Sequence, residues 1–263
     1  MKLWLGTRII PQEEASISPL DRGFTLGDGL FETLRVAGGT VLRVEAHLAR
    51  LAAGAGVLGL PLPALDLAAA LTTTAEANAI TDGALRLTVS RGVGPRGVLP
   101  PAEPVPTLVI TAAPLPPPAP PARLVIVQRT RRNEFSPLAQ VKSLNYLDNI
   151  LARQEAAARG ADDGVLLNTR EGVAETSIAN LFAVLDGALV TPPLDAGVLP
   201  GIMRAAVLAK GAAERPLSAA DLARAEEIFL TSALGIRSVA ALEGRELPAR
   251  DAAARLRTLI AGA

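Results

Sequence analysis

The sequence contains no cysteine, which excludes disulfides, thiol nucleophiles and metal sites built on cysteine. It has one histidine, His47, so a multi-histidine metal site is excluded and a Ser-His-Asp triad would have to use that residue. Aromatic residues make up 3% of the chain, which predicts an aliphatic core and argues against surfaces that stack bases or sugars. The formal net charge is zero, so we expect neither a nucleic-acid nor a membrane partner.

Lysine is also scarce, because the 26 basic residues are 23 arginines and only three lysines. Arginine is too basic to act as an amine nucleophile, whereas a desolvated lysine can do so. Lys142, in QVKSLNYLDNI, is therefore a candidate Schiff-base lysine; the alternative is a surface lysine at the start of a helix. Tyr146, the only tyrosine, follows one helical turn later and either donates a hydrogen bond to a phenolate-type oxygen or simply packs.

The run PLPPPAPP at 114–121 predicts a stiff extended connector, since proline fixes φ and lacks an N–H. It separates a small N-terminal α/β domain, 1–113, from a larger C-terminal α/β domain, 122–263, that carries Lys142. The chain begins without a long apolar segment, which favours a cytoplasmic protein.

Turn signals and apolar spacing predict the elements near the candidate residues. Gly38-Gly39 predicts a hairpin between two strands, and Asp186-Gly187 predicts a second hairpin. A helix is expected over 45–58. Another is expected from about Asn145 to Arg159, with Leu147, Ile150 and Leu151 as its apolar stripe.

Three further features suggest a bound cofactor. Glu175 stands among apolar strand residues, so it is either a partner for a protonated ring nitrogen or a solvent-facing residue of an edge strand. Arg50 could bind a phosphate, and so could the N–H groups at the helix start formed by Gly201, Ile202 and Met203, although any helix has such an end. Together with Lys142, these are the parts of a pyridoxal phosphate site: an amine for the aldehyde, a carboxylate for the ring nitrogen and donors for the phosphate.

Five segments occur in this order along the chain: DRGFTLGDGLFETLRV, HLARL, VKSLNYLDNILARQEA, ETSIANLF and GVLPGIMR. In this the sequence resembles the class IV (fold type IV) pyridoxal phosphate enzymes, a family of aminotransferases and 4-amino-4-deoxychorismate lyases. The resemblance implies two α/β domains, a homodimer and a cofactor in the interdomain cleft. By position, it makes Lys142 the Schiff-base lysine and Glu175 the ring-nitrogen partner. It makes the following phosphate contacts: Arg50, Ile202, Met203 and the segment Thr231, Ser232, Ala233, where aminotransferases often have threonine in place of Ala233.

Within this family the sequence resembles the lyases more than the aminotransferases. Branched-chain and D-amino acid aminotransferases usually have tyrosine where Phe31 stands, and the latter pair an arginine with a histidine where this chain has Arg96 and Val98. We therefore expect a lyase that converts 4-amino-4-deoxychorismate, a small amino substrate of the folate branch, into 4-aminobenzoate and pyruvate. Its carboxylates would face Arg86, Arg91 or Arg96.

Two alternatives remain. One is a transaminase of the same family, acting on D-amino acids, R-amines or branched-chain amino acids with a 2-keto acid acceptor. The other is a two-domain protein that binds a phosphorylated small molecule without chemistry, and this alternative would have no need of Lys142.

Overall fold

A computed structural model describes residues 1–248 and 250–261, which form two compact units. The first unit is Met1–Pro116 together with Val141–Asn145, and the second is Pro117–Gln140 together with the residues from Tyr146 onward. The change of unit at Pro116 falls inside the expected connector, although the predicted domain limits remain a prediction. One feature differs from expectation: Lys142 belongs to the first unit, not to the C-terminal half.

The first unit is one sheet covered by helices, with the strand order β2-β1-β6-β5-β3-β4. Its strands are β1 (Lys2–Leu5), β2 (Arg8–Pro11), β3 (Gly29–Ala37), β4 (Thr40–Val41), β5 (Asp82–Ser90) and β6 (Thr107–Pro114). Its helices are α1 (Arg22–Leu26), α2 (Val44–Leu58) and α3 (Leu67–Ala77).

Side-chain alternation along β3 and β5 gives this sheet one core face. The core combines alternate strand residues with one stripe each of α2 and α3: Leu30, Leu34, Val36, Leu85, Leu87, Val89, Leu51, Ala55, Ala70, Leu71 and Ala75. The predicted hairpin between β3 and β4 is confirmed, because Gly38 and Gly39 both have positive φ, as a two-residue turn of this type requires.

The segment Val141–Asn145 belongs to the first unit because it is hydrogen-bonded to the edge of β3. The Phe31 N–H donates to the Lys142 carbonyl at 3.0 Å, and the Leu144 N–H donates to the Gly29 carbonyl at 2.9 Å. Ser143 lies opposite Leu30 in this antiparallel bridge. Backbone pairing therefore fixes the position of Lys142 relative to β3, a long-range contact that no local sequence pattern reveals.

The second unit contains a mixed sheet in the order β12-β11-β10-β13-β14-β7-β8-β9, with β15 paired to β14. Its strands are β7 (Ala122–Ile126), β8 (Asp163–Leu167), β9 (Val173–Thr176), β10 (Asn180–Leu185), β11 (Ala188–Thr191), β12 (Ala213–Glu214), β13 (Glu227–Ser232), β14 (Gly235–Leu242) and β15 (Arg245–Glu246). Its helices are α4 (Leu147–Ala158), α5 (Ile202–Leu208), α6 (Ala219–Arg224) and α7 (Asp251–Ala261). The expected turn at Asp186-Gly187 joins β10 to β11, and both turn residues have positive φ.

The apolar stripe predicted for α4 is wrong. Leu147 is 68% exposed and Ile150 is 48% exposed, whereas Ala152 and Ala156 are fully buried. Helix α4 packs closely on β8, where a Cβ on Gly164 would lie 3.1 Å from the Ala152 carbonyl oxygen, and its buried residues are Asn149, Ala152 and Ala156. No helix within residues 1–248 and 250–261 combines the length and apolar character needed to cross a membrane.

Gly29→Ala should disturb the pairing of β3 with β5 at the end where the Lys142 segment attaches. A Cβ at this position would lie 2.5 Å from the Val89 carbonyl oxygen and 2.8 Å from the Ser90 Cα of β5, and 2.7 Å from a Leu144 methyl group, so backbone must shift and the Leu144 side chain must turn. We expect a free energy of unfolding lower by about 1–3 kcal/mol, measured in urea. The control is Gly56→Ala on α2, where a Cβ meets nothing within 4 Å and stability should be unchanged or raised. Equal stability of Gly29→Ala and wild type would contradict this close packing.

Candidate active site

The Lys142 side chain lies against the outward face of the first unit's sheet. Its Nζ is 4.3 Å from the centre of the Phe31 ring, and the Arg86 guanidinium carbon is 3.8 Å from the same centre. Phe31 lies opposite Thr88 on β5, and Arg86 lies opposite Thr33 on β3, so these side chains share the face that points away from the core. Of the predicted substrate residues, Phe31 and Arg86 therefore lie close to the candidate Schiff-base lysine. Lys142 and Arg86 both contact the Phe31 ring.

Arg50 projects from α2 toward β3, where it pairs with Glu32. Arg50 Nε donates to Glu32 Oε1 at 2.8 Å, and Nη2 donates to Oε2 at 2.6 Å. His47 Nδ1 contacts Glu32 Oε2 at 2.7 Å. Glu32 was not among the candidate residues from the sequence; an acidic residue two positions from both Leu30 and Leu34 on a β-strand was the available signal.

The structure corrects the assignment of Arg91 to substrate binding. Arg91 is buried, and it donates from Nε to Asp28 Oδ2, from Nη1 to the Gly59 carbonyl and from Nη2 to the Leu58 carbonyl, each at 2.8 Å. Burial alone would raise the pKa of the Asp28 carboxyl, but hydrogen bonds from Arg91 and Arg22 outweigh it and lower the pKa below its ordinary value. Arg91 thus stabilises the fold from inside.

Arg96, in contrast, is exposed on the loop that joins β5 to β6. Arg22 holds this loop from beneath, because its guanidinium donates to the carbonyls of Gly97 and Val98 at 3.0 and 2.8 Å. Arg22 is itself buried and paired with Asp28 at 2.8 Å. The half-buried carboxylate of Asp28 therefore connects Arg22 and Arg91, and through Arg22 it supports the loop that carries Arg96.

In the second unit, Glu175 is a buried residue of β9, which contradicts the solvent-facing alternative. Its Oε1 lies 3.0 Å from Arg132 Nη2, and its Oε2 accepts hydrogen bonds from Asn180 Nδ2 at 3.1 Å and from the Leu199 N–H at 3.2 Å. An ion pair and two neutral donors offset the cost of burying this carboxylate.

Arg132, in the segment RTRRN, is the neighbour of Glu175 that was not among the candidate residues from the sequence. Its Nη1 donates to Asn149 Oδ1 at 3.2 Å, and Asn149 Nδ2 donates to the Ser177 carbonyl at 2.5 Å. Helix α4, which supplies Asn149, therefore orients the arginine that pairs with Glu175. Tyr146, the residue that precedes this helix, is half-buried.

The two predicted phosphate segments of the second unit meet at Asn180. A Cβ on Gly201 would lie 1.9 Å from Asn180 Oδ1, so only glycine permits this approach before Ile202 and Met203 begin α5. Thr231 lies directly opposite Asn180 on β13. Ser232 and Ala233 follow Thr231 at the turn into β14, where Ser232 Oγ accepts from the Leu234 N–H at 3.3 Å.

Thr231 provides a test of whether these residues suit a phosphorylated cofactor. Its Oγ1 is buried and has no hydrogen-bond partner among the described residues. A buried hydroxyl without a partner is costly, and a phosphate oxygen would satisfy it. With a buried carboxylate at Glu175 in the same unit, the donor set fits a pyridoxal phosphate group.

Comparison with known proteins gives one consistent family. Residues 29–242 match the family model for amino-transferase class IV. A Methanocaldococcus jannaschii protein provisionally named as a branched-chain-amino-acid aminotransferase is 35% identical over 258 residues, covering 93% of this chain and 89% of the relative. D-alanine aminotransferase of Listeria monocytogenes is 31% identical over 251 residues, 88% of this chain and 84% of the relative.

A solved structure is similar over the whole chain. The crystal structure of 4-amino-4-deoxychorismate lyase from Pseudomonas aeruginosa is 37% identical, has a TM-score of 0.84, and the match covers 99% of this chain and 98% of that one. The predicted fold class, a mixed α/β chain of fold type IV, is confirmed.

The variants Arg91→Ala and Arg96→Ala should differ in stability, because Arg91 is buried and Arg96 is exposed. Removing Arg91 leaves Asp28 with one cation fewer and should lower the free energy of unfolding by about 3 kcal/mol, whereas Arg96→Ala should change it by less than about 0.5 kcal/mol. The pKa of Asp28 is lowered in the folded protein. The loss of unfolding free energy that Arg91→Ala causes should therefore become smaller as the pH falls from about 4 downward. Urea unfolding at pH 7 and pH 3 measures both effects, and a neutral Arg91→Ala would contradict the structural role.

Proposed function

The chain belongs to the class IV aminotransferase family, and from that premise we propose that it is a lyase that converts 4-amino-4-deoxychorismate into 4-aminobenzoate and pyruvate. The chain is a pyridoxal-phosphate-dependent enzyme, as the family is. The similarity to the Pseudomonas aeruginosa lyase supports the choice of reaction. A homodimer located in the cytoplasm is part of the same proposal.

The contact of Arg86 and Lys142 with one Phe31 ring is the observation that carries the lyase proposal. The ring has no hydroxyl group, and it lies 4.3 Å from the Lys142 amine and 3.8 Å from the Arg86 guanidinium carbon. An apolar aromatic surface beside a guanidinium suits a ring-shaped substrate that carries carboxylates, because the ring packs against Phe31 while Arg86 pairs with a carboxylate.

Pyridoxal phosphate, when bound, would supply an aldehyde for the amine and a pyridine ring that accepts electrons. Lys142 would hold it through its amine, Glu175 would hold its ring nitrogen, and Tyr146 would hold a ring oxygen. The phosphate would be held by Arg50, Gly201, Ile202, Met203, Ser232 and the backbone at Ala233.

The proposed reaction makes Lys142 the general base. Its Nζ takes the proton from the carbon that bears the substrate amine. The neighbouring carbon–oxygen bond then breaks, and the three-carbon enol side chain leaves and is protonated to pyruvate. The six-membered ring becomes aromatic, which drives the reaction forward.

A transaminase is the second candidate, and the aminotransferase names of the Methanocaldococcus jannaschii and Listeria monocytogenes relatives favour it. A transaminase would use the same base and the same proton, but it would need a 2-keto acid to complete each cycle. Its amino donors would be D-amino acids, R-amines or branched-chain amino acids.

Turnover without a keto acid distinguishes the two reactions. Purified holoenzyme is given 4-amino-4-deoxychorismate alone, and 4-aminobenzoate and pyruvate are measured over many turnovers. A lyase continues, with the two products in equal amounts. Lys142→Ala should abolish the activity, while Lys210→Ala, at an exposed lysine, should keep it. Sustained transamination of D-alanine or an R-amine with pyruvate or 2-oxoglutarate, with no 4-aminobenzoate formed, would refute the lyase proposal.

Glu175→Gln should retain the cofactor but lower the rate on the order of 100-fold, since a neutral amide cannot stabilise a protonated ring nitrogen. The measurement is turnover at saturating pyridoxal phosphate, together with the amount of cofactor retained after dialysis. Glu171→Gln removes an exposed carboxylate of the same unit that pairs with Arg131, so it controls for the loss of charge alone. An unchanged rate in Glu175→Gln would show that another group pairs with the ring nitrogen.

A further inference from the structure

Glu32 is a carboxylate on the core face of β3. Its neighbours at two-residue spacing, Leu30 and Leu34, belong to the hydrophobic core, and Glu32 itself is only 1% exposed. An unpaired carboxylate in such a place would be strongly destabilising or would take up a proton. An aliphatic residue would pack at this position without that cost. The role of Glu32 therefore depends on the groups that it contacts.

Helix α2 supplies two partners from one face. His47 and Arg50 are three residues apart, so they project on the same side of the helix. His47 is buried, and the Arg50 side chain is 10% exposed. Burial would raise the pKa of the Glu32 carboxyl, but hydrogen bonds from His47 and Arg50 outweigh this and lower the pKa, so the carboxylate is ionised at neutral pH.

The contact between Arg50 and Glu32 fixes the plane of the guanidinium. Nε and Nη2 reach different oxygens, Oε1 at 2.8 Å and Oε2 at 2.6 Å, which is a two-point contact that permits one orientation. His47 Nδ1, 2.7 Å from Oε2, restrains the carboxylate in turn. Arginine otherwise loses considerable rotamer entropy when it binds an anion.

We propose that Glu32 and His47 are positioning residues that hold Arg50 in the orientation in which it binds the cofactor phosphate. This rests on the proposed function, in which Arg50 is a phosphate contact. Neither Glu32 nor His47 touches the reacting atoms. They order the Arg50 guanidinium before the phosphate binds. The free energy of phosphate binding then does not include the cost of ordering that side chain.

A purely structural role for the Glu32 pair predicts something different. It would lower stability and weaken every ligand alike, whereas a positioning role acts through the phosphate alone. Pyridoxal, which has the aldehyde and ring but no phosphate, is therefore the informative probe beside pyridoxal phosphate.

The experiment measures dissociation constants of both compounds for the apoprotein of Glu32→Gln by equilibrium dialysis. We expect the constant for pyridoxal phosphate to rise about tenfold, the effect of one lost charge-assisted contact. The constant for pyridoxal should change by less than about twofold. Glu45→Gln makes the same substitution at an exposed glutamate of α2 and should leave both constants unchanged.

Arg50→Ala and the double variant Glu32→Gln/Arg50→Ala complete the cycle. Arg50→Ala should weaken pyridoxal phosphate binding and also lower the melting temperature, because it leaves the Glu32 carboxylate buried with one cation fewer. Adding Glu32→Gln removes that charge, so the melting temperature should recover in part while the binding constant does not rise further.

Three results would overturn the proposal in distinguishable ways. Unchanged pyridoxal phosphate binding in Glu32→Gln, or an equal loss for pyridoxal, refutes the positioning role while leaving Arg50 as a phosphate contact. Unchanged binding in Arg50→Ala refutes the phosphate role of Arg50 and the positioning role with it. If Glu32→Gln does not fold, His47→Leu keeps the Glu32–Arg50 pair, and the same selective loss for pyridoxal phosphate, about threefold, is required of it.

Discussion

Two-residue alternation along β3 sends successive side chains to opposite faces of the first unit's sheet, and the candidate chemistry follows from it. Phe31 faces outward, where Arg86 and Lys142 meet its ring, while Glu32 faces inward, where it pairs with Arg50. The free edge of the same strand accepts the segment that carries Lys142. A one-residue slip of β3 would exchange the two faces, so the register of β3 against β5 sets both groups of contacts at once.

Carboxylates paired with arginine are the second common feature. Asp28 pairs with Arg22 and Arg91, Glu32 with Arg50, and Glu175 with Arg132. Planar guanidinium groups satisfy a carboxylate with directed N–H groups and stay charged when buried, which lysine does poorly. An arginine in this protein therefore cannot be assigned to substrate binding from its presence in a loop or strand, as Arg91 shows.

Local sequence patterns predicted the elements well where the backbone conformation depends only on neighbouring residues. The Gly38-Gly39 and Asp186-Gly187 turns form hairpins as expected, because positive φ at both positions needs such residues. The prediction of which side of α4 is buried was wrong, since the close packing of this helix depends on Gly164 of β8. Glu32 and Arg132 were missed for the same reason: their partners lie 15 to 18 and 17 to 43 residues away in the chain, and only the tertiary fold brings them together. Residue type and position made Lys142, Glu175 and Arg50 candidates but left their roles open, and the resemblance chose among those roles.

In both proposed reactions Lys142 would take the same first proton, so its attachment to β3 favours neither. The reactions would differ in the next step, which is either loss of the three-carbon side chain or transfer of the amine to a 2-keto acid acceptor. That outcome depends on the groups that orient the rest of the substrate. Around Phe31, the outward face of β3 and β5 carries Thr33, Thr88 and Arg86, and Thr111 of β6 lies opposite Arg86. Farther along the same face, Arg35 pairs with Asp82. In the proposed lyase reaction, Arg86 on this face would pair with one of the two carboxylates of 4-amino-4-deoxychorismate, a contact that an R-amine would not make.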